Sequence, residues 1–135
     1  MTEEGKLQRD IRVALGRHPS LYLMRNQVGK LFLPSKGQLL QFGRATVESL
    51  QRYFRVQFSE HPRNLTYGLE VGSSDLVGIL KPSGRWFCLE VKTPTGRVSP
   101  EQEKWMALMV KFGAYCAVVR SVEEAERALA EALAS

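Results

Sequence analysis

The residues best able to do chemistry lie close together in the middle of the chain. Gly72-Ser73-Ser74-Asp75-Leu76-Val77-Gly78-Ile79-Leu80 is followed, after Lys81-Pro82-Ser83-Gly84, by Arg85-Trp86-Phe87-Cys88-Leu89-Glu90-Val91-Lys92. Both runs are rich in branched and aromatic residues, and turn formers separate them. That pattern predicts two strands joined by a hairpin. Side chains alternate along a strand, so Glu90 and Lys92 share a face. Charges at the ends of apolar strands are costly to bury unless they are paired or bind a metal. Two carboxylates and an ammonium at one sheet edge could hold Mg²⁺ and activate a water. The plainer alternative is a Glu90–Lys92 ion pair, with Asp75 capping a turn.

The rest of the chain must position these groups. Its 135 residues suffice for one domain, spanning 1–135, with a single core. A hydrophobic content of 44% argues against disorder. The longest apolar runs are too short to cross a bilayer, and the charged start Met1-Thr2-Glu3-Glu4-Gly5-Lys6 has no signal region. A cytoplasmic location and no membrane partner are therefore expected. Cys88 and Cys116 sit in apolar runs and read as buried free thiols of a reducing compartment rather than a disulfide. No residues have zinc-ligand spacing, and His18 and His61 lack the neighbours of a histidine-based hydrolase. The net charge of +5 favours a polyanionic partner such as nucleic acid.

Residues 2–17 read as an amphipathic helix with Thr2 as N-cap and Leu7, Ile11 and Ala14 or Leu15 as its stripe. Glu4 lies on that stripe, unless it belongs only to a frayed first turn. Leu21–Asn26 and Val28–Leu33 are short strand-like runs. Residues 34–67 carry the weakest signals: a helix over Thr46–Phe54 and a loop at His61-Pro62-Arg63-Asn64. After the loop Thr93–Arg97, Ser99-Pro100-Glu101-Gln102 is a capping box. It opens a helix with a stripe of Trp105, Met106, Met109 and Phe112 that stops at Gly113. Gln102 stands at the head of that stripe. Ala114–Val119 is an apolar strand, and Ser121-Val122-Glu123-Glu124 reads as a second capping box before a final helix to about residue 134.

Five separated elements then fall in order: Gly68–Leu76, Leu89–Lys92, Gly96–Gln102, Trp105 and Gly113. Together they resemble the VRR-NUC nuclease domain, a branch of the PD-(D/E)xK superfamily with small stand-alone versions in bacteriophages and bacteria. The resemblance is close over residues 68–120 and looser at Glu4–Gln8 and Arg25–Gly29. It implies an α/β fold: a restriction-endonuclease-like core with a central mixed β-sheet flanked by helices. It also implies a Mg²⁺-dependent, structure-specific DNA endonuclease resembling Holliday-junction resolvases, with Mn²⁺ able to substitute. Asp75 and Glu90 resemble the metal ligands, with Val91 lending its carbonyl and Glu4 reaching in from the first helix; Glu3 next door leaves that register open. Lys92 resembles the lysine that serves the attacking water, and Gln102 a glutamine near the site. Arg25, Asn26, Lys30, Ser73, Ser74, Arg97 and Lys104 are the expected contacts to DNA. Ser74 replaces the superfamily's proline, which shapes a turn and carries no chemistry. The implied partners are branched DNA and a second copy of the chain. The competing readings are a less selective, restriction-like endonuclease and a DNA-binding module without catalysis.

Overall fold

The computed structural model describes residues 1–33, 35–41, 43–44, 48–49, 51–52, 61 and 63–135, with the backbone alone for residues 30–33 and 64–67. Its elements run α1 (Glu3–Leu15), β1 (Leu21–Arg25), β2 (Gly29–Leu33), α2 (Lys36–Leu40), β3 (Arg63–Tyr67), β4 (Leu76–Leu80), β5 (Trp86–Val91), α3 (Pro100–Lys111), β6 (Tyr115–Val119) and α4 (Val122–Ala134). Two compact units result, one from residues 1–27 with 69–135 and the other from residues 28–68.

The larger unit is built on a four-stranded sheet ordered β1-β4-β5-β6. β1, β4 and β5 are antiparallel neighbours, and β6 lies parallel to β5. The β4–β5 hairpin is the one the residue pattern predicts. The chain therefore has an α/β fold with a mixed sheet flanked by helices, as a restriction-endonuclease-like core requires.

Period-two alternation along β5 sorts its side chains into two layers. Phe87, Leu89 and Val91 enter an apolar core with Ile11 and Leu15 of α1 and Ala125, Ala128 and Leu129 of α4. On the other face Cys88 packs with Val77, Trp105 and Ala114, backed by Met106 and Met109. The buried face of α1 is Gln8, Ile11 and Leu15, while Ala14 is exposed. Glu4 precedes Gln8 by four residues and so shares that face. Thr2 caps α1 by accepting from Gly5 N at 3.1 Å.

Three expectations need correction. Phe112 is 82% exposed at the C-cap of α3, so the buried part of that helix face ends at Met109. The box at Ser121 is half formed: its hydroxyl accepts from Glu124 N at 3.1 Å, but the Glu124 carboxylate reaches past it to Arg120 N at 2.7 Å. Arg63 and Asn64, read as loop, begin strand β3. Cys88 and Cys116 are free thiols as expected, the first buried and the second half-buried.

In the smaller unit β2 and β3 form a two-stranded antiparallel sheet, with Gly29 opposite Tyr67 and Leu33 opposite Arg63. The short α2 carries a capping box, with Ser35 Oγ accepting from Gln38 N and Gln38 Oε1 accepting from Ser35 N. Most of the helix expected over Thr46–Phe54 lies outside the described residues.

Candidate active site

Asp75 stands immediately before β4, and Glu90 and Lys92 stand at the far end of β5. Antiparallel pairing sets Leu76 opposite Leu89, which brings Asp75 beside the Glu90–Val91 end of the neighbouring strand. Asp75 Oδ2 accepts from Val91 N at 2.9 Å, and the two carboxyl groups are close enough for each to act on the other's protonation. The Lys92 ammonium lies 2.9 Å from Glu90 Oε1, on the shared face that strand alternation requires. Gln102 Nε2 donates to the same Glu90 oxygen, while its Oε1 accepts from Ser99 N at 2.8 Å. One side chain thus caps α3 and holds a carboxylate of the sheet.

Glu90 is fully buried, and its second oxygen, Oε2, is enclosed without a hydrogen-bond partner among the described residues. Such an orphan is costly in a native interior. Burial and the nearby Asp75 charge push the Glu90 carboxyl up to about 7, against the pull of Lys92. Asp75 is also raised, chiefly by burial, although the Val91 amide and the Lys92 and Arg25 charges oppose the shift. Burial pulls Lys92 down, but its bond to Glu90 and the charges of Glu90, Glu4 and Asp75 outweigh that and hold it above its ordinary value. Two adjacent carboxylates that repel each other, one with an unused oxygen, suit a hard cation that prefers oxygen donors. Among the described residues no three His, Cys, Asp or Glu side chains converge on one point. Asp75 and Glu90 are the two carboxylates that could hold such a cation. Glu4 is half-buried where Glu3 is exposed, and its charge is felt at Lys92.

The other expected residues divide by burial. Arg25, Arg97 and Lys104 are exposed cations, and Arg25 is close enough to act on Asp75. The Lys30 side chain lies outside the described part. Ser74 is fully buried and Ser73 only 9% exposed, so neither presents a surface to DNA. Instead Asn26 Nδ2 donates to Ser73 Oγ at 2.7 Å and to the Ser74 carbonyl at 2.9 Å, and Asn26 N donates to the Asp75 carbonyl at 2.8 Å. Asn26 therefore ties the turn before Asp75 to the end of β1. Gly72 shapes that turn with φ of 89°, and a Cβ there would come within 2.5 Å of the Glu101 carbonyl oxygen. The turn thus abuts the first turn of α3 closely.

Arg120, after β6, carries no motif and was not among the expected residues. Its Nη1 donates to the carbonyls of Thr93 and Gly96, in the loop behind Lys92. A cation between an apolar strand and a capping serine was the only sequence signal for it. Gln8, a buried polar residue on the stripe of α1, is another group that apolar periodicity passed over.

The described elements contain no helix long and apolar enough to cross a membrane. No curated protein and no solved structure matches the chain. The family model of the VRR-NUC domain matches residues 3–123, from the first helix to the start of the last one. That range takes in every described element of both units except α4, of which it reaches only Val122 and Glu123, and the fold agrees with the PD-(D/E)xK superfamily. The chain belongs to the VRR-NUC domain family and is a nuclease with DNA as its substrate.

Proposed function

We propose that this nuclease is a divalent-metal-dependent endonuclease of branched DNA that works as a homodimer in a reducing cytoplasm. The observation that carries the metal dependence is Glu90: fully buried, beside Asp75, with Oε2 unpartnered among the described residues. Asp75 and Glu90 would hold Mg²⁺ or Mn²⁺, which supplies a nucleophilic hydroxide at neutral pH and relief of charge on the nonbridging oxygens. Lys92 stays protonated at neutral pH and brings a mobile positive charge to the attacked phosphate. Gln102 fixes the Glu90 carboxylate, so that the ligand need not reorganise during reaction. Arg25, Arg97 and Lys104 are available to phosphates, which position the backbone without reading sequence.

The preference for branched DNA rests on what the described elements lack and on symmetry. The described elements include no helix placed to read base edges in a groove, so geometry and backbone are what remain to be recognised. A four-way junction presents two related strands, and a two-fold dimer presents two sites to them. The test compares cleavage of an immobile four-way junction in Mg²⁺ with that of a duplex of the same arm sequence, with sedimentation alongside. Faster junction cleavage by a dimer, with affinity falling steeply as salt rises, is expected. Equal rates or a strict monomer would favour the less selective endonuclease.

A further inference from the structure

The geometry points to Arg120 as a positioning residue for Lys92, acting through the loop of residues 93–96. This inference rests on the reading of Lys92 as a catalytic group. Lys92 is the first residue beyond β5, and its own amide donates to the Val119 carbonyl at 3.0 Å. The chain then turns sharply, with Gly96 N donating to the Thr93 carbonyl at 3.0 Å. Arg120, following Val119, sends its guanidinium into the inside of this turn. There Nη1 donates to the Thr93 carbonyl, to the Gly96 carbonyl at 2.8 Å and more weakly to the Pro94 carbonyl at 3.4 Å. A planar, permanently charged group holds converging carbonyls in a way that an ammonium on a flexible stem does not.

The drawn-in loop closes on Lys92. A Cβ added at Gly96 would lie 3.4 Å from Lys92 Cβ and 3.1 Å from Thr93 Oγ1. The Gly96 backbone is thus packed against the root of the lysine side chain. With that root fixed, Nζ is held toward Glu90. The same segment runs on through Ser99 to Gln102, which returns to Glu90. Residues 90–102 therefore form a closed circuit, and Arg120 pins it from the neighbouring strand. The backbone end of Arg120 is itself fixed, since its amide donates to Glu124 Oε2 at 2.7 Å.

The test uses Arg120→Ala and Arg120→Lys beside Lys92→Ala, with single-turnover cleavage of an immobile four-way DNA junction in Mg²⁺. Misplacing a catalytic group by about 1 Å can cost about 10²-fold, so Arg120→Ala should lose roughly 10- to 100-fold in rate, with little change in the half-saturating DNA concentration. Arg120→Lys should fall between Arg120→Ala and wild type. Dilute guanidinium chloride should restore part of the rate of Arg120→Ala and none of that of Lys92→Ala. Hydrogen exchange should quicken in the peptide spanning residues 92–99 and nowhere else. A folded Arg120→Ala protein with wild-type rate overturns the inference, as does a loss confined to half-saturation, which would make Arg120 a phosphate contact. If Arg120→Ala does not fold, a wild-type rate in Arg120→Lys overturns it. Wild-type cleavage by Lys92→Ala defeats the reading of the site instead. In that event unchanged exchange at 92–99 still overturns the clamp.

Discussion

Glu90 and Val91 are neighbours on β5 and both are fully buried, yet they enter two different regions of the protein. Val91 joins Ile11, Leu15, Phe87, Leu89 and Leu129 in an apolar layer. Glu90 points the other way, past Cys88 and Trp105, into a cluster of Asp75, Lys92 and Gln102. The first layer removes apolar surface from water and closes α1 and α4 onto the sheet. The second keeps carboxylates where burial opposes their charge. One face of the sheet supplies the stability that lets the other hold an unfavourable arrangement, as functional sites commonly do. Substitutions on the two faces should therefore separate activity from stability.

The largest effects are expected on the polar side, in activity. Asp75→Ala, Glu90→Ala and Lys92→Ala should each lower cleavage by about 10³-fold or more, since a metal site and its partners supply several kcal/mol of transition-state stabilisation. DNA binding should persist, because phosphate contacts carry affinity, and loss of a carboxylate can strengthen it. Rates in Mg²⁺ and Mn²⁺, measured with electrophoretic binding of the same variants, test this. Wild-type rates in any of the three would remove that residue from the site. On the apolar side Phe87→Ala should cost about 3–5 kcal/mol. The thermal midpoint should fall on the order of 10–20 °C, with cleavage per folded molecule retained. A Phe87→Ala protein of unchanged midpoint but lost activity would invert the comparison.

The same contrast has a pH signature. The Glu90 carboxyl is raised from 4.5 to about 7, and Asp75 moves in the same direction. The native state thus holds these protons more tightly than the unfolded chain. The stability they contribute is complete below the unfolded values and is lost as pH rises through the native ones. Lys92, also raised, titrates far above this window. Metal-free protein should therefore lose stability between about pH 5 and pH 8. If the proposed metal site is right, Mg²⁺ would bind the deprotonated carboxylates and should stabilise most at the upper end. Asp75→Asn removes the charge that helps raise Glu90, and should flatten the profile and weaken the response to Mg²⁺. Thermal midpoints across that range, in chelator and in Mg²⁺, decide the point; a midpoint rising with pH in chelator would contradict it.

Legibility in the sequence followed the same division. The hairpin, the helix capped at Ser99 and the shared face of Glu90 and Lys92 were readable because periodicity and caps are local signals. Asp75 next to Val91 was readable only through strand pairing, and the resemblance supplied it before the register did. What escaped was the support. Asn26 and Ser73, expected at DNA, hold the turn before Asp75. Arg120 acts on residues 24 to 27 positions away, a separation that no window of the sequence covers. In residues 28–68, β3 was missed because Arg63-Asn64-Leu65-Thr66-Tyr67 follows a proline and opens on polar residues, which read as a turn. Pairing with β2 makes it a strand.

The smallest expected effect sits where periodicity overreached. Trp105 and Phe112 lie seven residues apart on α3, close to two full turns, so a sequence reading gives them one face. Trp105 is buried against the Cys88 layer, whereas Phe112 stands at the C-cap, beyond the last packed residue, Met109. Helix periodicity reports direction around the axis, not whether the sheet still lies beneath that turn. Phe112→Ser should therefore change stability by no more than about 0.5 kcal/mol, as surface substitutions do. Trp105→Ala on the same face should cost about 3–5 kcal/mol. Cleavage by Phe112→Ser should match wild type, since its position is ten residues along α3 from Gln102. Chemical denaturation of the two variants makes the comparison. A Phe112→Ser loss approaching that of Trp105→Ala would mean that this end of α3 is covered in the working protein, as a dimer contact would cover it.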